Sequence, residues 1–135
     1  MDKYIISGGR RLEGGVRIQT AKNSVLPILA ASVLTDEPVT VLNVPDISDV
    51  RNMVRILGCL GCRARYSGND IIIDSSSADN CEIPRALAHE LRSSVFLLGS
   101  VISRFRKAKI AYPGGCDIGL RPVDLHLTGL KRLGV

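Results

Sequence analysis

The stretch Lys22-Asn23-Ser24-Val25 opens an apolar run to Leu34, and it returns seventy positions later as Arg92-Ser93-Ser94-Val95. A second apolar run follows the second copy and extends to about Ser103. Apolar residues on most sides of the first run predict a buried helix at about 23–34. A second, longer helix is predicted at about 84–103. Lys22 and Arg92 therefore occupy equivalent positions, each beside the start of an apolar helix.

Matching segments follow both helices, which indicates a repeat of a whole supersecondary unit. Val41–Pro45 corresponds to Lys109–Pro113, and Leu60–Cys62 corresponds to Leu133–Val135. The sequence predicts strands at 4–6, 16–19, 39–44, 63–66, 70–74, 81–83 and 109–112. Further helices are predicted after Pro45, with Asp46 or Ser48 as N-cap, and from Pro122.

The fold class is therefore α/β (α+β), built from β-α-β-α-β-β units at 16–74 and 81–135 that pack around a shared core. The second unit lacks its closing hairpin, so we expect the chain to be part of a longer protein. With aromatic residues at 4% and no Trp, the core should consist of Leu, Ile, Val and Ala.

Composition narrows the class of protein and its location. No apolar stretch approaches the roughly 18 residues that span a bilayer, and the N-terminus does not resemble a signal peptide, so we expect no membrane partner. The four cysteines lack a secretory context, which favours free thiols and a cytoplasmic location. The net charge of +5 raises the question of nucleic acid, but the basic residues are dispersed. The longest basic run, Arg104–Lys107, is interpreted as a solvated connection.

The glycine-rich loop Pro113–Pro122 carries the most specific chemical signal. Three glycines around Cys116 allow the backbone to approach a ligand closely. Arg121 directly precedes a helix that starts with Pro122, and helix N-termini bind phosphate. A nearby guanidinium favours the thiolate of Cys116. On composition, a reactive thiol and a buried structural cysteine are about equally supported.

Lys22 and Arg92 form the second candidate constellation. A cation is unusual at a helix N-terminus, because the helix dipole favours acids there. Two equivalent cations suggest a shared anionic ligand, although long side chains that follow a helix surface explain them as well.

The pair Cys59-Leu60-Gly61-Cys62 carries only a weak signal for a metal or redox site. No second pair of this spacing occurs, and both His89 and His126 are remote in sequence. We therefore expect neither a metal nor a cofactor.

At these residues the sequence resembles the UDP-N-acetylglucosamine enolpyruvyl transferases (1-carboxyvinyltransferases), whose reaction is the first committed step of peptidoglycan synthesis. The resemblance covers essentially the whole chain, as an N-terminal portion. Its motifs are Ala21–Asn23, Leu42–Pro45, Leu91–Ser94, Pro113–Gly119 and Arg121–His126. The cysteine-bearing loop distinguishes this family from the shikimate-pathway enolpyruvyl transferases.

The resemblance implies an enolpyruvyl transferase-like fold, in which each of two domains is an inside-out α/β barrel of three β-α-β-α-β-β units. Residues 1–21 would belong to one domain and 22–135 to an incomplete part of the other. The partners would be phosphoenolpyruvate, UDP-N-acetylglucosamine and the missing C-terminal part of the enzyme, with no nucleic acid.

The resemblance also implies a role for each site residue. Lys22 would hold the phosphate of phosphoenolpyruvate, Asn23 would orient both substrates, and Cys116 would donate a proton to the methylene carbon. In this family the antibiotic fosfomycin alkylates that cysteine. Arg92 would bind the UDP-sugar. The remaining UDP-sugar ligands would be Arg121, Pro122, Val123, Asp124 and Leu125, with Arg121 also facing phosphoenolpyruvate.

Two departures from the family pattern are Gln19-Thr20 and Ser24, which could alter a hinge but remove no ligand. The family's general-base aspartate and a further phosphate-binding arginine have no counterpart in these 135 residues, so we expect the chain by itself to be inactive. A non-catalytic module that binds a nucleotide sugar or assists assembly is the second hypothesis. An RNA-binding module is the third, disfavoured by the scarcity of aromatic residues.

Overall fold

The first repeat unit is a helical pair packed on a small antiparallel sheet. The computed structural model describes residues 3–18, 20–112 and 123–135. The elements of this unit are α1 (Lys22–Ala31), a 3-10 turn (Ser32–Leu34), β1 (Val39–Val41), α2 (Ser48–Cys59), β2 (Arg63–Ser67) and β3 (Asp70–Asp74). Strand β3 lies between β1 and β2 and is antiparallel to both. The predicted hairpin is confirmed.

The second unit begins with a parallel βαβ arrangement. Its elements are β4 (Glu82–Ile83), α3 (Arg85–Glu90), a 3-10 turn (Arg92–Val95), α4 (Phe96–Phe105), β5 (Lys109–Ile110) and α5 (Asp124–Arg132). Strands β4 and β5 pair in parallel, with α3 and α4 in the connection between them. The expected fold class is confirmed, although several strands are shorter than predicted.

Helices α1, α2 and α4 enclose the core with the buried face of β3. Ile71 and Ile73 alternate along β3 and are fully buried, as period-2 strand geometry requires. The predicted aliphatic core is confirmed, and Met53 and Cys62 are buried with it. Its largest fully buried side chains are Leu26, Leu29, Met53, Ile56, Leu57, Leu60, Ile71, Ile73, Leu91 and Leu97.

The strands predicted at 4–6 and 16–19 are wrong for the residues described there. Residues 3–18 form no strand, and Ile6 and Ile18 are 90% and 88% exposed. An isolated strand leaves its backbone groups and its apolar side chains without partners. Among the described residues, residues 3–18 have no neighbouring strand with which to pair, so their β-like sequence pattern does not produce a strand.

The single helix predicted at 84–103 is also wrong, because the chain breaks at Leu91. Leu91 has φ −122° and ψ 102°, an extended conformation, and its side chain is buried. Burial of Leu91 in the core therefore outweighs helix continuity, and a new helical segment starts at Arg92.

The predicted N-cap of α2 is wrong in detail. Ile47 is the N-cap residue, and no side chain accepts a hydrogen bond from the first turn. Asp46 instead accepts a hydrogen bond from Arg51 at 2.7 Å.

The linker between the two units is fixed to the C-terminus of α2. The side chain of Ser77 donates to the Gly61 carbonyl at 2.9 Å, and the Asn80 amide donates to the Cys59 carbonyl at 2.9 Å. The backbone N–H of Asp79 donates to the Leu60 carbonyl at 3.2 Å. These bonds satisfy carbonyls that a helix end leaves without partners.

Gly61 permits this close approach. Its φ is +91°, and an added Cβ would lie 2.8 Å from the Asp79 carboxylate and 2.9 Å from the Ser77 carbonyl. Only glycine adopts this conformation without strain and leaves room for the linker.

We expect Gly61→Ala to lower the free energy of unfolding by about 2 kcal/mol, through backbone strain and displacement of the linker. Gly58→Ala is the matched control, since nothing lies within 4 Å of an added Cβ there. In the body of a helix it should be stabilising by about 0.5–1 kcal/mol. Urea unfolding of both variants measures the difference, and equal effects would contradict this account of Gly61.

Candidate functional site

Lys22 and Asn23 open α1, as the repeat predicts. Ala21 is the N-cap with an extended backbone, no side chain caps the helix, and its first turn contains no acidic residue. The Ala21 carbonyl accepts the N–H groups of Ser24 and Val25 at 3.0 and 3.3 Å. An N-terminus of this kind presents free N–H groups and partial positive charge, so it attracts anions. Both Lys22 and Asn23 are exposed there.

A carboxylate from the next helix meets the ammonium group of Lys22. Lys22 Nζ donates to Asp49 Oδ2 at 2.7 Å, and Asp49 lies in the first turn of α2. An acid at that position also interacts favourably with the dipole of its own helix. The N-termini of α1 and α2 are thereby joined by an ion pair that the sequence analysis did not predict.

Arg92 opens the second helical segment in the same manner as Lys22. The break at Leu91 places Arg92 at the first residue of the 3-10 turn that leads into α4. Its side chain is half-buried. Without the break, Arg92 would lie within a continuous helix, and the equivalence to Lys22 would be lost.

Lys22 and Arg92 lie at the same end of the fold. Helices α1 and α4 pack on each other. At their C-terminal ends, the Arg104 guanidinium donates to the carbonyls of Val33 and Thr35 at 3.0 and 3.5 Å. Because the two helices pack on each other and their C-terminal ends meet, the segments 22–34 and 92–105 run parallel. The segments have similar lengths, so both begin at the opposite end of the fold.

The two flanks of the glycine-rich loop reach that same end. Strand β5 runs back from the end of α4 towards its start, as a parallel βαβ connection requires. The Tyr112 hydroxyl donates to Asp124 Oδ1 at 3.4 Å, across the base of the loop. A small apolar cavity of about 70 Å³ lies where the start of α4, the end of β5 and the start of α5 meet. It is lined by Val95, Leu98, Ile110, Ala111, Tyr112, Val123 and Leu127.

The remaining predicted site residues divide into two groups. Val123 is half-buried before α5, while Asp124 and Leu125 are exposed in its first turn. Cys116, Arg121 and Pro122 lie outside the described residues. The described part of the predicted site is thus a set of helix starts around the base of one loop.

Asp49 and Tyr112 are the polar residues that the sequence analysis missed at this end. Asp49 is 27 positions from Lys22, and no spacing rule relates a residue of one helix to a residue of the next. The only signal was an acid in the first turn of a predicted helix, which is common for structural reasons.

A larger cavity, of about 930 Å³, lies between the N-terminal segment and the first unit. It is bordered by Arg17, Ile18 and Thr20 on one side and by the β1–α2 connection and the β2–β3 turn on the other. Ile18 is 88% exposed, so this space is an open gap beside an extended segment.

Cys59 and Cys62 have different environments. Cys59 is exposed, whereas Cys62 is buried. Burial raises the pKa of the Cys62 thiol, and the positive charge of the nearby Arg104 offsets this rise only in part. Among the described residues, no group of three or more His, Cys, Asp or Glu side chains is arranged to hold a metal ion.

Comparison with known proteins identifies the family. The sequence model of the family described as EPSP synthase (3-phosphoshikimate 1-carboxyvinyltransferase) matches residues 6–135. The chain belongs to the EPSP synthase family. The enolpyruvyl transferase NikO from Streptomyces tendae has the same fold, with a TM-score of 0.78 and 30% identity over 95% of this chain and 28% of that one.

Curated relatives within the EPSP synthase family carry a more specific name. The UDP-N-acetylglucosamine 1-carboxyvinyltransferase 2 of Caldanaerobacter subterraneus subsp. tengcongensis is 50% identical over the whole chain. The UDP-N-acetylglucosamine 1-carboxyvinyltransferase of Acinetobacter guillouiae is 48% identical over 99% of it. The chain spans about a third of their length, 32% in both cases.

These relatives confirm the resemblance to the UDP-N-acetylglucosamine enolpyruvyl transferases. The fold follows from the family, and the relatives themselves are named as 1-carboxyvinyltransferases. No helix in the described ranges combines the length and the apolar character that crossing a bilayer requires.

The raised pKa of Cys62 predicts a difference in thiol reactivity. Cys59 is exposed, so iodoacetamide should reach and label it readily near neutral pH. The thiolate is the reactive form of a cysteine. Labelling of Cys62 should require a higher pH, because its thiol ionises only at a more alkaline pH than an ordinary cysteine. Peptide mass spectrometry of Cys116→Ser protein over a pH series measures both rates, and equal rates at each pH would contradict the buried environment.

Proposed function

We propose that a polypeptide containing this chain transfers the enolpyruvyl group of phosphoenolpyruvate to UDP-N-acetylglucosamine, with release of phosphate. The observation that carries the proposal is that Lys22 and Arg92 open two parallel helices at the end where the glycine-rich loop is anchored. The names of the relatives support the choice of acceptor. Because the chain spans about a third of those relatives, the activity is proposed for a polypeptide of their length.

The chemistry requires an acid, a base and cations. Protonation of the methylene carbon of phosphoenolpyruvate makes the adjacent carbon electrophilic, and the sugar hydroxyl adds to it as it loses its proton. Loss of the methyl proton and of phosphate then restores the double bond. Cys116 is proposed as the proton donor. Lys22 and the N-terminus of α1 are proposed to stabilise the charge on the phosphate group.

The UDP-sugar is proposed to bind at the same end of the fold as phosphoenolpyruvate, on the side formed by Arg92 and the start of α5. Arg92 and the segment 121–125 are proposed to bind it, and Asn23 to orient it relative to phosphoenolpyruvate. The 3-10 turn that Arg92 opens supports this assignment, because its last residue, Val95, lines the cavity at the base of the loop. We also propose that residues 1–21 belong with a second domain and 22–135 with this one, which would cover the apolar side chains now exposed in residues 3–18.

The biological setting follows from the proposed reaction. It would be the first committed step of peptidoglycan synthesis, in the cytoplasm, and the enzyme would be a target of fosfomycin through alkylation of Cys116. The basic run offers little support for an RNA-binding alternative. Arg104 is its first residue, and its guanidinium is bound to backbone carbonyls with only 17% of the side chain exposed.

In a polypeptide of the relatives' full length, we expect Lys22→Ala to raise the KM for phosphoenolpyruvate and lower kcat/KM by about a hundredfold, because a phosphate-binding cation is lost. Arg92→Ala should mainly raise the KM for UDP-N-acetylglucosamine. Lys107→Ala is the control, an exposed cation at the opposite end of α4. Phosphate release measures all three. A Lys22→Ala enzyme with wild-type kinetics would refute the assignment.

The 135-residue chain by itself should release no phosphate from phosphoenolpyruvate above the rate without protein, because it lacks most of the length of its relatives. In the full-length polypeptide, fosfomycin should label Cys116 and leave Cys62 unmodified. Intact-mass and peptide mass spectrometry test the labelling. Turnover by the 135-residue chain at the rate of a full-length relative would contradict this expectation.

A further inference from the structure

We propose that Asp49 is a positioning residue, which acts on phosphoenolpyruvate by fixing the ammonium group of Lys22. This inference rests on the proposed function, since it requires Lys22 to bind the substrate phosphate. It concerns a residue of α2 that the resemblance does not assign to the site.

The Lys22–Asp49 pair differs from the other ion pairs among the described residues in the burial of its acid. Its atoms are 2.7 Å apart, and the Asp49 side chain is 29% exposed. The acids of the other ion pairs among the described residues, for example Asp46 at 78% and Glu82 at 52%, are more exposed. Asp49 is therefore held by the packing of α2 on α1, whereas an exposed pair of flexible side chains gains little.

Fixing Lys22 has a clear chemical use. A lysine ammonium has three N–H donors on a flexible four-carbon stem. Asp49 accepts one of them, which leaves two to donate to a phosphate. The Lys22 side chain is 52% exposed, so these donors remain accessible at the N-terminus of α1. A short acid anchored in α2 thus reduces the rotational freedom that Lys22 would otherwise lose on binding substrate.

The charge of Asp49 predicts a specific kinetic signature. A carboxylate beside a phosphate site repels the substrate, so its removal should not weaken the attraction of Lys22 for phosphoenolpyruvate. Its removal should instead leave the ammonium misaligned when the phosphate group departs. The expected result for Asp49→Asn is a fall in kcat of about tenfold to a hundredfold, with the KM for phosphoenolpyruvate unchanged or lower.

A double-mutant cycle in the full-length polypeptide tests the inference. Asp49→Asn is made in the wild-type protein and in Lys22→Ala protein, and kcat and KM are measured by phosphate release. If Asp49 acts through Lys22, its substitution should have no further effect in the Lys22→Ala background. Asp49→Glu retains the carboxylate and should recover part of the lost kcat.

Glu82→Gln serves as the matched control. Glu82 pairs with Lys109 at 2.8 Å, and it lies where α4 ends, at the opposite end of the fold. The substitution also removes one acid from an ion pair, so it reports the cost of losing such a pair away from the proposed site. Its kinetic constants should match those of the wild type.

Each outcome separates the inference from the proposed function. A wild-type polypeptide that releases no phosphate overturns both. If wild-type and Lys22→Ala proteins behave as proposed, an Asp49→Asn protein with wild-type kcat overturns only the positioning role. So does an equal loss of kcat in both backgrounds, which would indicate a folding defect. A loss of kcat confined to the protein that retains Lys22 supports the positioning role of Asp49.

Discussion

The parallel packing of α1 and α4 is the constraint on which the rest of the molecule depends. Each helix comes from one repeat unit, and their C-terminal ends are tied by the guanidinium of Arg104. That group donates to the carbonyls of Val33, Thr35 and Ser75. A half-buried guanidinium with several acceptors fixes two helices in register more firmly than an exposed ion pair. With this end fixed, both helices must begin together at the other end.

The common start of these helices concentrates positive potential at one place. The N-terminus of α1 lacks an acidic residue in its first turn and carries Lys22, and Arg92 opens the second segment. Such an arrangement is unfavourable without an anion, because cations and helix N-termini repel each other. Asp49 compensates part of it. The negative charge of a phosphorylated substrate would compensate the remaining repulsion. Unfavourable local electrostatics of this kind are typical of a binding site.

The two repeat units use the same pattern for different purposes. In the first, the linker caps α2 and the hairpin β2–β3 covers the core. In the second, the helical segment 85–105 is interrupted at Leu91, and the connection after β5 is the cysteine-bearing loop. The interruption preserves the equivalence of Lys22 and Arg92, because a continuous helix would have placed Arg92 in its interior. Repetition of the unit therefore fixes where the cations lie, and local departures determine what surrounds them.

Hydrophobic periodicity and the repeat by themselves determined the order of the helices and the hairpin, the aliphatic core and the equivalence of Lys22 and Arg92. These features depend on local pattern, which a sequence records directly. The break at Leu91, the unpaired segment 3–18 and the contact of Lys22 with Asp49 were decided only by the tertiary structure. Each depends on what lies across space: a core that buries Leu91, a strand partner for the N-terminal segment, and the packing of α2 on α1. Residues brought together by packing share no spacing along the chain, so no local pattern could have revealed them.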